Sequence, residues 1–251
     1  MAAVRNIPYP VRLDIQKVPS SFNGRLYFVF GQGLGDTVNA FRILHEVMKR
    51  YPEAESVVYA DSRWKELYQL IPELRGRPIH FYPDGRTPLS GEKGTKDPYP
   101  KVLGTILAES GECPSLVALG NFKLGDSLAR KESFLTMASR AIGLSLGTNE
   151  CRPYLPLSDD WVRQSESFLR SQGLSPGAYF AVAPYTWPDK MWTHDSWERL
   201  VASLYEATRT PIVVVGVSGY PSIKGPMVRE ALDLPLPMVA ALISQARCYI
   251  G

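Results

Sequence analysis

The 251 residues carry 45% hydrophobic side chains, enough to bury one large core or two ordinary ones. A formal net charge of +3 is only a mild bias towards anionic partners, and no basic block marks a nucleic-acid footprint. No apolar run approaches the roughly 18–20 residues of a membrane span, and Met1-Ala2-Ala3-Val4-Arg5-Asn6 lacks the charged-then-apolar layout of a secretory leader, so a soluble cytoplasmic protein is expected.

Residues 1–24 are rich in proline and small polar side chains and read as an N-terminal arm on the surface. Leu26 to Phe30 is a buried strand. The turn Gly31-Gln32-Gly33-Leu34-Gly35-Asp36 follows it, and Val38, Phe41, Leu44, Val47, Met48 and Tyr51 then recur at helical spacing until Pro52. Val57 to Ala60 is a strand, Ser62 opens a helix bearing Trp64, Leu67, Tyr68 and Ile71 and closed by Pro72, and Ile79 to Tyr82 is a strand. Pro83 to Lys101 is too polar and too rich in glycine and proline for a core element. It reads either as a mobile loop on the binding side or as a surface insertion. Leu116 to Leu119 resumes the sheet, and Phe134 to Ile142 is helical.

Asn149 to Pro156 has no periodicity and suits an extended linker, which sets a boundary between domains at 1–150 and 151–251. A second α/β rhythm follows. Ser158 is the expected N-cap of a helix bearing Trp161, Val162, Phe168 and Leu169, with Gly173 just past its end. Tyr179 to Ala183 is a strand, Trp197 to Tyr205 a helix, Ile212 to Gly216 a strand, Met238 to Ala246 a helix, and Cys248 to Ile250 the start of a strand. Strands alternating with helices imply parallel sheets with right-handed crossovers. A sheet that stops on an uncovered strand leaves an apolar face open, so the second domain is expected to be truncated and the natural chain to be longer.

Two strand-to-helix turns carry the chemistry. The first holds Gly33, Leu34, Gly35 and Asp36, at the place where open α/β sheets bind ligands. Its glycines permit a sharp turn and leave room for a substrate. Asp36 stands where a dinucleotide fold wants its last glycine, so the Gly-x-Gly-x-x-Gly fingerprint fails. A carboxylate there repels a pyrophosphate, while the helix dipole keeps it ionised by roughly 0.3–1 kcal/mol. Such a group suits accepting a proton from a hydroxyl. The second turn is Ala183-Pro184-Tyr185-Thr186-Trp187-Pro188-Asp189-Lys190-Met191-Trp192-Thr193, with Thr193 as a candidate N-cap and Asp195 and Glu198 as acids of the first turn. Lys190 is placed to neutralise a diphosphate, and Thr186 to add a hydroxyl donor. Taken alone, Trp187, Met191, Trp192 and Trp197 fit a packed corner that Lys190 merely solvates equally well.

Metal chemistry has little to build on. Cys113, Cys151 and Cys248 lie far apart, which argues against a disulfide framework and a structural zinc site, and His45, His80 and His194 form no ligand cluster. No Asp-x-Asp occurs anywhere in the chain, so no carboxylate pair is marked out to hold a cation on a diphosphate.

Taken together, Gly33-Leu34-Gly35-Asp36-Thr37-Val38, the block Ala183 to Trp192 and the closing run Ala240 to Gly251 resemble glycosyltransferase family 9, whose best-known members are the lipopolysaccharide heptosyltransferases. The resemblance covers most of the chain from Leu26 onward, and its most specific part is the middle block, with Lys190 and Trp192 two apart before a helix. It implies an α/β fold of the GT-B type, two Rossmann-like domains facing a cleft. The first would bind the acceptor and the second a nucleotide sugar. Sugar would pass from a nucleotide diphosphate donor, such as ADP-heptose, to a glycan or glycolipid hydroxyl with inversion at the anomeric carbon. Asp36 would be the catalytic base, and Lys190 and Thr186 would contact donor phosphates. No cofactor and no metal are expected, with Lys190 and backbone N–H groups in the cation's place. A glycolipid acceptor would bring the protein to the inner face of a membrane.

Two departures from the family pattern stand out. The loop Val217 to Gly225 lacks the acidic residue that related heptosyltransferases use near this point for donor sugar or ribose, and the sequence stops before the Asp-Ser/Thr-Gly turn that completes their donor site. Both favour an alternative, a non-catalytic transferase relative that binds a nucleotide or glycan without turning it over. A nicotinamide-dependent oxidoreductase fits the fold class but conflicts with Asp36.

Overall fold

A computed structural model of the chain describes residues 21–30, 34–60, 62–81, 115–119, 134–141, 143–147, 152–185 and 191–251. The arm at 1–20, the Pro83 to Lys101 loop, Cys113 and Cys151 lie outside them. The chain divides into two compact units, Met1–Pro156 and Leu157–Gly251, a few residues beyond the boundary expected at 150/151.

The first unit holds β1 (Arg25–Phe30), α1 (Leu34–Arg50), β2 (Glu55–Ala60), α2 (Lys65–Tyr68), β3 (Ile79–Phe81), β4 (Ser115–Leu119) and α3 (Phe134–Ala141). Its sheet runs β3-β2-β1-β4 with every pairing parallel. Leu26, Tyr27, Phe28 and Val29 are all fully buried. This is why β1 reads as an unbroken apolar run: a central parallel strand is covered on both faces. On α1 the buried positions are Thr37, Ala40, Phe41, Ile43, Leu44, Val47 and Met48, the broad stripe of a core-facing helix. Val38, counted in the sequence stripe, is only half-buried.

The single helix expected from Ser62 to Ile71 is broken up. A 3₁₀ turn (Ser62–Trp64), the one-turn α2 and a second 3₁₀ turn (Pro72–Leu74) replace it. At the far end Pro72 drives Ile71 into extended backbone (ψ 108°), so the helix cannot run on to Ile71. The Leu70 and Ile71 N–H groups fall back on three-residue bonds to the Leu67 and Tyr68 carbonyls.

The end of the expected linker is anchored. Tyr154 stacks on His45 with ring centroids 4.2 Å apart and donates its hydroxyl to Glu73 at 3.4 Å. Arg42 lies over the Tyr154 ring at 5.1 Å and donates to the Arg152 carbonyl at 3.0 Å. His45 also bonds the Glu73 carboxylate, and Arg42 pairs with Glu46 at 3.2 Å. Burial first, then the Glu73 charge, pushes the Tyr154 phenol up, so it stays a hydrogen-bond donor. Arg152 and Tyr154 are thus held by the first unit rather than spanning freely between the two.

The second unit holds α4 (Asp159–Ser171), β5 (Phe180–Val182), α5 (His194–Thr208), β6 (Ile212–Gly216), β7 (Val228–Leu232), α6 (Leu236–Ser244) and β8 (Cys248–Ile250). Its sheet runs β7-β6-β5-β8, again parallel throughout. Alternate residues of each strand feed opposite cores. Tyr179, Ala181, Val213, Val215 and Ala231 pack with Leu169 and Leu242 on one face. Phe180, Val182, Ile212 and Val214 pack with Trp197 and Val201 on the other. Gln245 ties the end of α6 to α4 through Ser165 Oγ at 2.7 Å, and the buried Tyr179 hydroxyl bonds the Leu242 carbonyl.

Helix ends follow the sequence in part. Gly173 takes φ +70° just past α4, the left-handed position that a C-terminal cap wants. Ser158 precedes α4, but its side chain makes no capping bond there. Thr193 does cap α5, accepting the Ser196 N–H at 3.3 Å. The strand β7 has no counterpart in the sequence reading, because Arg229 and Glu230 interrupt its apolar pattern. It is an edge strand, where charges of this kind discourage pairing with another sheet.

Candidate functional site

Both units share one connectivity. From β1 the chain steps outward to β2 and β3 and then returns to the far side of β1 as β4; from β5 it steps to β6 and β7 and returns beside β5 as β8. The order reverses next to β1 in one sheet and next to β5 in the other. In open parallel sheets the crevice beyond the carboxyl end of such a strand is where ligands bind. The turns leaving β1 and β5 are the two that the sequence marked.

In the first unit the turn leads directly into α1. Leu34 and Gly35 are its exposed first residues, and Asp36 is the third. The α1 N-terminus therefore places the positive end of its dipole beside the Asp36 backbone. A Cβ placed on Gly35 would meet nothing within 4 Å, and the residue does not adopt left-handed backbone. Gly35 thus leaves open space and needs no left-handed backbone, while Gly31, the other glycine of the turn besides Gly33, lies outside the described residues. Asn39 steadies this first turn by donating to the Gly35 carbonyl at 3.0 Å. Gly33 and the Asp36 side chain lie outside the described residues.

In the second unit the chain leaves β5 through Ala183, Pro184 and Tyr185 and reappears at Met191 before α5. Thr186 and Lys190 fall between, outside the described residues, and so does Trp187. The aromatic corner divides. Trp197 is buried in the core, whereas Trp192 is 57% exposed with its ring centroid 5.1 Å from that of Trp197. Glu198 is committed locally: it accepts the Lys224 N–H at 2.8 Å and pairs with His194 at 3.1 Å.

The loop after β6 adds residues that the sequence reading did not single out. Asp233, just past β7, accepts the Ser218 N–H at 2.9 Å and returns its own N–H to the Gly216 carbonyl at 2.9 Å. It holds φ 53°, a left-handed conformation that an aspartate tolerates better than most residues. Hydrogen bonds from Ser218 keep its carboxyl below the usual aspartate range, so it is ionised near neutrality. Glu230 on β7 accepts the Ser222 hydroxyl. The loop has no acid of its own, yet β7 and the residue that follows it supply two carboxylates. Pairing of β7 with β6 creates this arrangement, and the one local signal for β7 was the weak alternation of Val228 and Leu232 around charged residues.

Tyr185 reaches the same loop. Its ring stacks on Tyr220 with centroids 4.5 Å apart and planes 14° from parallel, and its hydroxyl donates to the Pro221 carbonyl at 2.6 Å. Burial and then the Glu230 charge push its phenol up, so the hydroxyl keeps the proton that bond needs. The carboxyl edge of the second sheet thus gathers the β5 exit, an ionised aspartate and a stacked tyrosine pair, while the first gathers a helix N-terminus with Asp36 in its opening turn.

No protein-family model matches the chain, and no curated protein matches it in sequence. Solved structures match it in fold. A family 9 glycosyl transferase from Veillonella parvula aligns with a TM-score of 0.60 over 93% of this chain and 76% of its own, at 14% identity. The ADP-heptose LPS heptosyltransferase II of E. coli aligns at 0.56 over 90% of this chain and 78% of its own, at 16% identity. The dodecameric iron-containing heptosyltransferase TibC, in complex with ADP-D-beta-D-heptose, aligns at 0.55 over 96% of this chain and 54% of its own, at 12% identity. The likeness is one of fold, and the fold is the α/β, GT-B fold of the family 9 glycosyltransferases.

Proposed function

We propose that the chain is an inverting glycosyltransferase that works without a metal and moves heptose or a related sugar from a nucleotide diphosphate donor, such as ADP-heptose, to a hydroxyl of a glycan or glycolipid. The observation that carries this is the position of Asp36. It lies in the first turn of α1, at the point of strand reversal, in a fold shared with structures named as glycosyltransferases over nine-tenths of the chain.

The chemistry asks for a base and a charge-stabilising partner. The Asp36 carboxylate takes the proton of the acceptor hydroxyl as its oxygen attacks the anomeric carbon. The bond to the diphosphate breaks on the opposite face, and Lys190, the Thr186 hydroxyl and backbone N–H groups stabilise the departing charge. Those groups take the place a divalent cation holds in metal-dependent transferases. The first unit would bind the acceptor and the second the donor. With a glycolipid acceptor the protein would work from the cytoplasm at the inner membrane face; among the described residues no helix is long and apolar enough to cross a membrane.

The test is product formation with a panel of nucleotide sugars, with and without a chelator. Asp36→Asn should lower turnover by about 10²–10⁴-fold while nucleotide affinity is retained. Lys190→Ala should weaken both, with about 3 kcal/mol lost from the transition state. Full turnover in both variants would remove the assignment. Nucleotide binding without product from any donor would point to the non-catalytic alternative, and loss of activity on chelation would refute metal independence.

A further inference from the structure

The tyrosine pair at the carboxyl edge of the second sheet has no part in the chemistry just described. Tyr185 is fixed on three sides. Its hydroxyl is bonded to the Pro221 carbonyl, one face is stacked on Tyr220, and its Cδ2–Cε2 edge lies against Gly216, where a Cβ would come within 2.8 Å of Cδ2. Tyr220 gives one face to Tyr185 and still leaves 41% of its surface to solvent, beside Val217 at 53%. The loop that carries both is pinned at Ser218 by Asp233 and at Ser222 by Glu230. A single exposed ring on a surface needs no explanation. A ring held rigidly from behind, on a short pinned loop next to the point of strand reversal, is preorganised for a flat partner.

Charge narrows the partner. The side chains that hold this loop, Asp233 and Glu230, are carboxylates already bonded to Ser218 and Ser222, so they give a phosphate or an anionic headgroup nothing to pair with there. An uncharged aromatic ring needs no such partner. We infer that Tyr220, backed by Tyr185, is the stacking surface for the nucleobase of a nucleoside diphosphate, so that base, Tyr220 and Tyr185 form one continuous stack. This rests on the sugar-transfer reading for its ligand class, and it names the residue that grips the base. Stacking on one face tolerates any base and favours the larger purines.

Calorimetric titrations with ADP, UDP and inorganic pyrophosphate test it on the full chain. Tyr220→Ala should bind ADP about 5- to 150-fold more weakly, the range expected for loss of one base–aromatic stack. It should bind pyrophosphate as the parent does, and Tyr220→Trp should restore ADP affinity. Loss of the Tyr185–Tyr220 stack should lower the unfolding temperature of the alanine variant only slightly, and the tryptophan variant, which keeps a ring on Tyr185, controls for loop distortion. Equal ADP affinity in parent and Tyr220→Ala, or an equal loss for pyrophosphate, overturns the inference and leaves the transferase reading standing. A parent protein that binds none of the three overturns both.

Discussion

Gly216→Ala is a small change that should act through one contact. The new methyl carbon would sit 2.8 Å from Tyr185 Cδ2 and 3.4 Å from Cε2, with Leu232 behind it at 3.9 Å. Carbon atoms settle at about 3.5–4.0 Å, so the ring must retreat by roughly 0.7 Å or more. It cannot slide freely, because its hydroxyl is held at 2.6 Å from the Pro221 carbonyl and its face is stacked on Tyr220. Losing that hydrogen bond costs about 0.5–1.5 kcal/mol, and disturbing the stack costs a similar amount. If the backbone of β6 yields instead, the register with β5 and β7 is strained, and overpacking of this kind costs about 1–3 kcal/mol. The expected destabilisation is therefore about 1–3 kcal/mol by either route. Urea unfolding followed by tryptophan fluorescence measures it, since four of the five tryptophans (Trp161, Trp187, Trp192 and Trp197) belong to the second unit. The discriminating control is Tyr185→Ala. In that background the methyl group has no ring to meet, and alanine in place of a strand glycine should be neutral or stabilising by up to about 1 kcal/mol. An equal loss with and without the Tyr185 ring would refute the reasoning, whatever its size.

Two further tests address the same unit. Thr193→Ala removes the oxygen that accepts the Ser196 N–H and should cost about 0.5–2 kcal/mol of stability, while Thr193→Ser retains it; chemical denaturation of the three proteins decides, and an unchanged alanine variant would mean the cap contributes nothing. Asp233 has a folded-state pKa below its unfolded value of about 3.9, so its hold on Ser218 is present above that value and is lost as pH falls through the lowered one. The Ser218 amide resonance should titrate with a midpoint under the ordinary aspartate range and stay flat in Asp233→Asn. A midpoint above that range would contradict the cause assigned here.

What the sequence disclosed, and what it hid, follows from how local each signal is. Leu26 to Phe30 and Ile212 to Gly216 were readable because a parallel strand covered on both faces must be apolar at successive positions. The α1 stripe and the Thr193 cap are equally local. The β7 strand was missed because its identity as an edge is set by pairing with β6, and its charges mimic a loop. Ser158 had the right residue type in the right place, yet its side chain makes no capping bond, which no sequence pattern reveals. Tyr154 looked like linker because its partners, Arg42, His45 and Glu73, are far off in sequence. The marked turns after β1 and β5 were visible as motifs. That both sit where their strand order reverses needed the two sheets.

That coincidence bears on how the chemistry is divided. Two units with the same strand order have the same kind of crevice, so the different roles proposed for them would have to come from what each turn places there. At α1 the opening turn carries an acid, Asp36, beside N–H groups that attract negative charge, which suits an ionised base and not a second anion. At α5 the Ser196 N–H is already taken by Thr193, and Asp195 adds an acid to the first turn. The dipole end of α5 is thus partly spent within the protein. On the proposed reading, a diphosphate at the second unit would then be met chiefly by Thr186 and Lys190, and Lys190→Ala is the variant in which donor affinity and turnover should fall together.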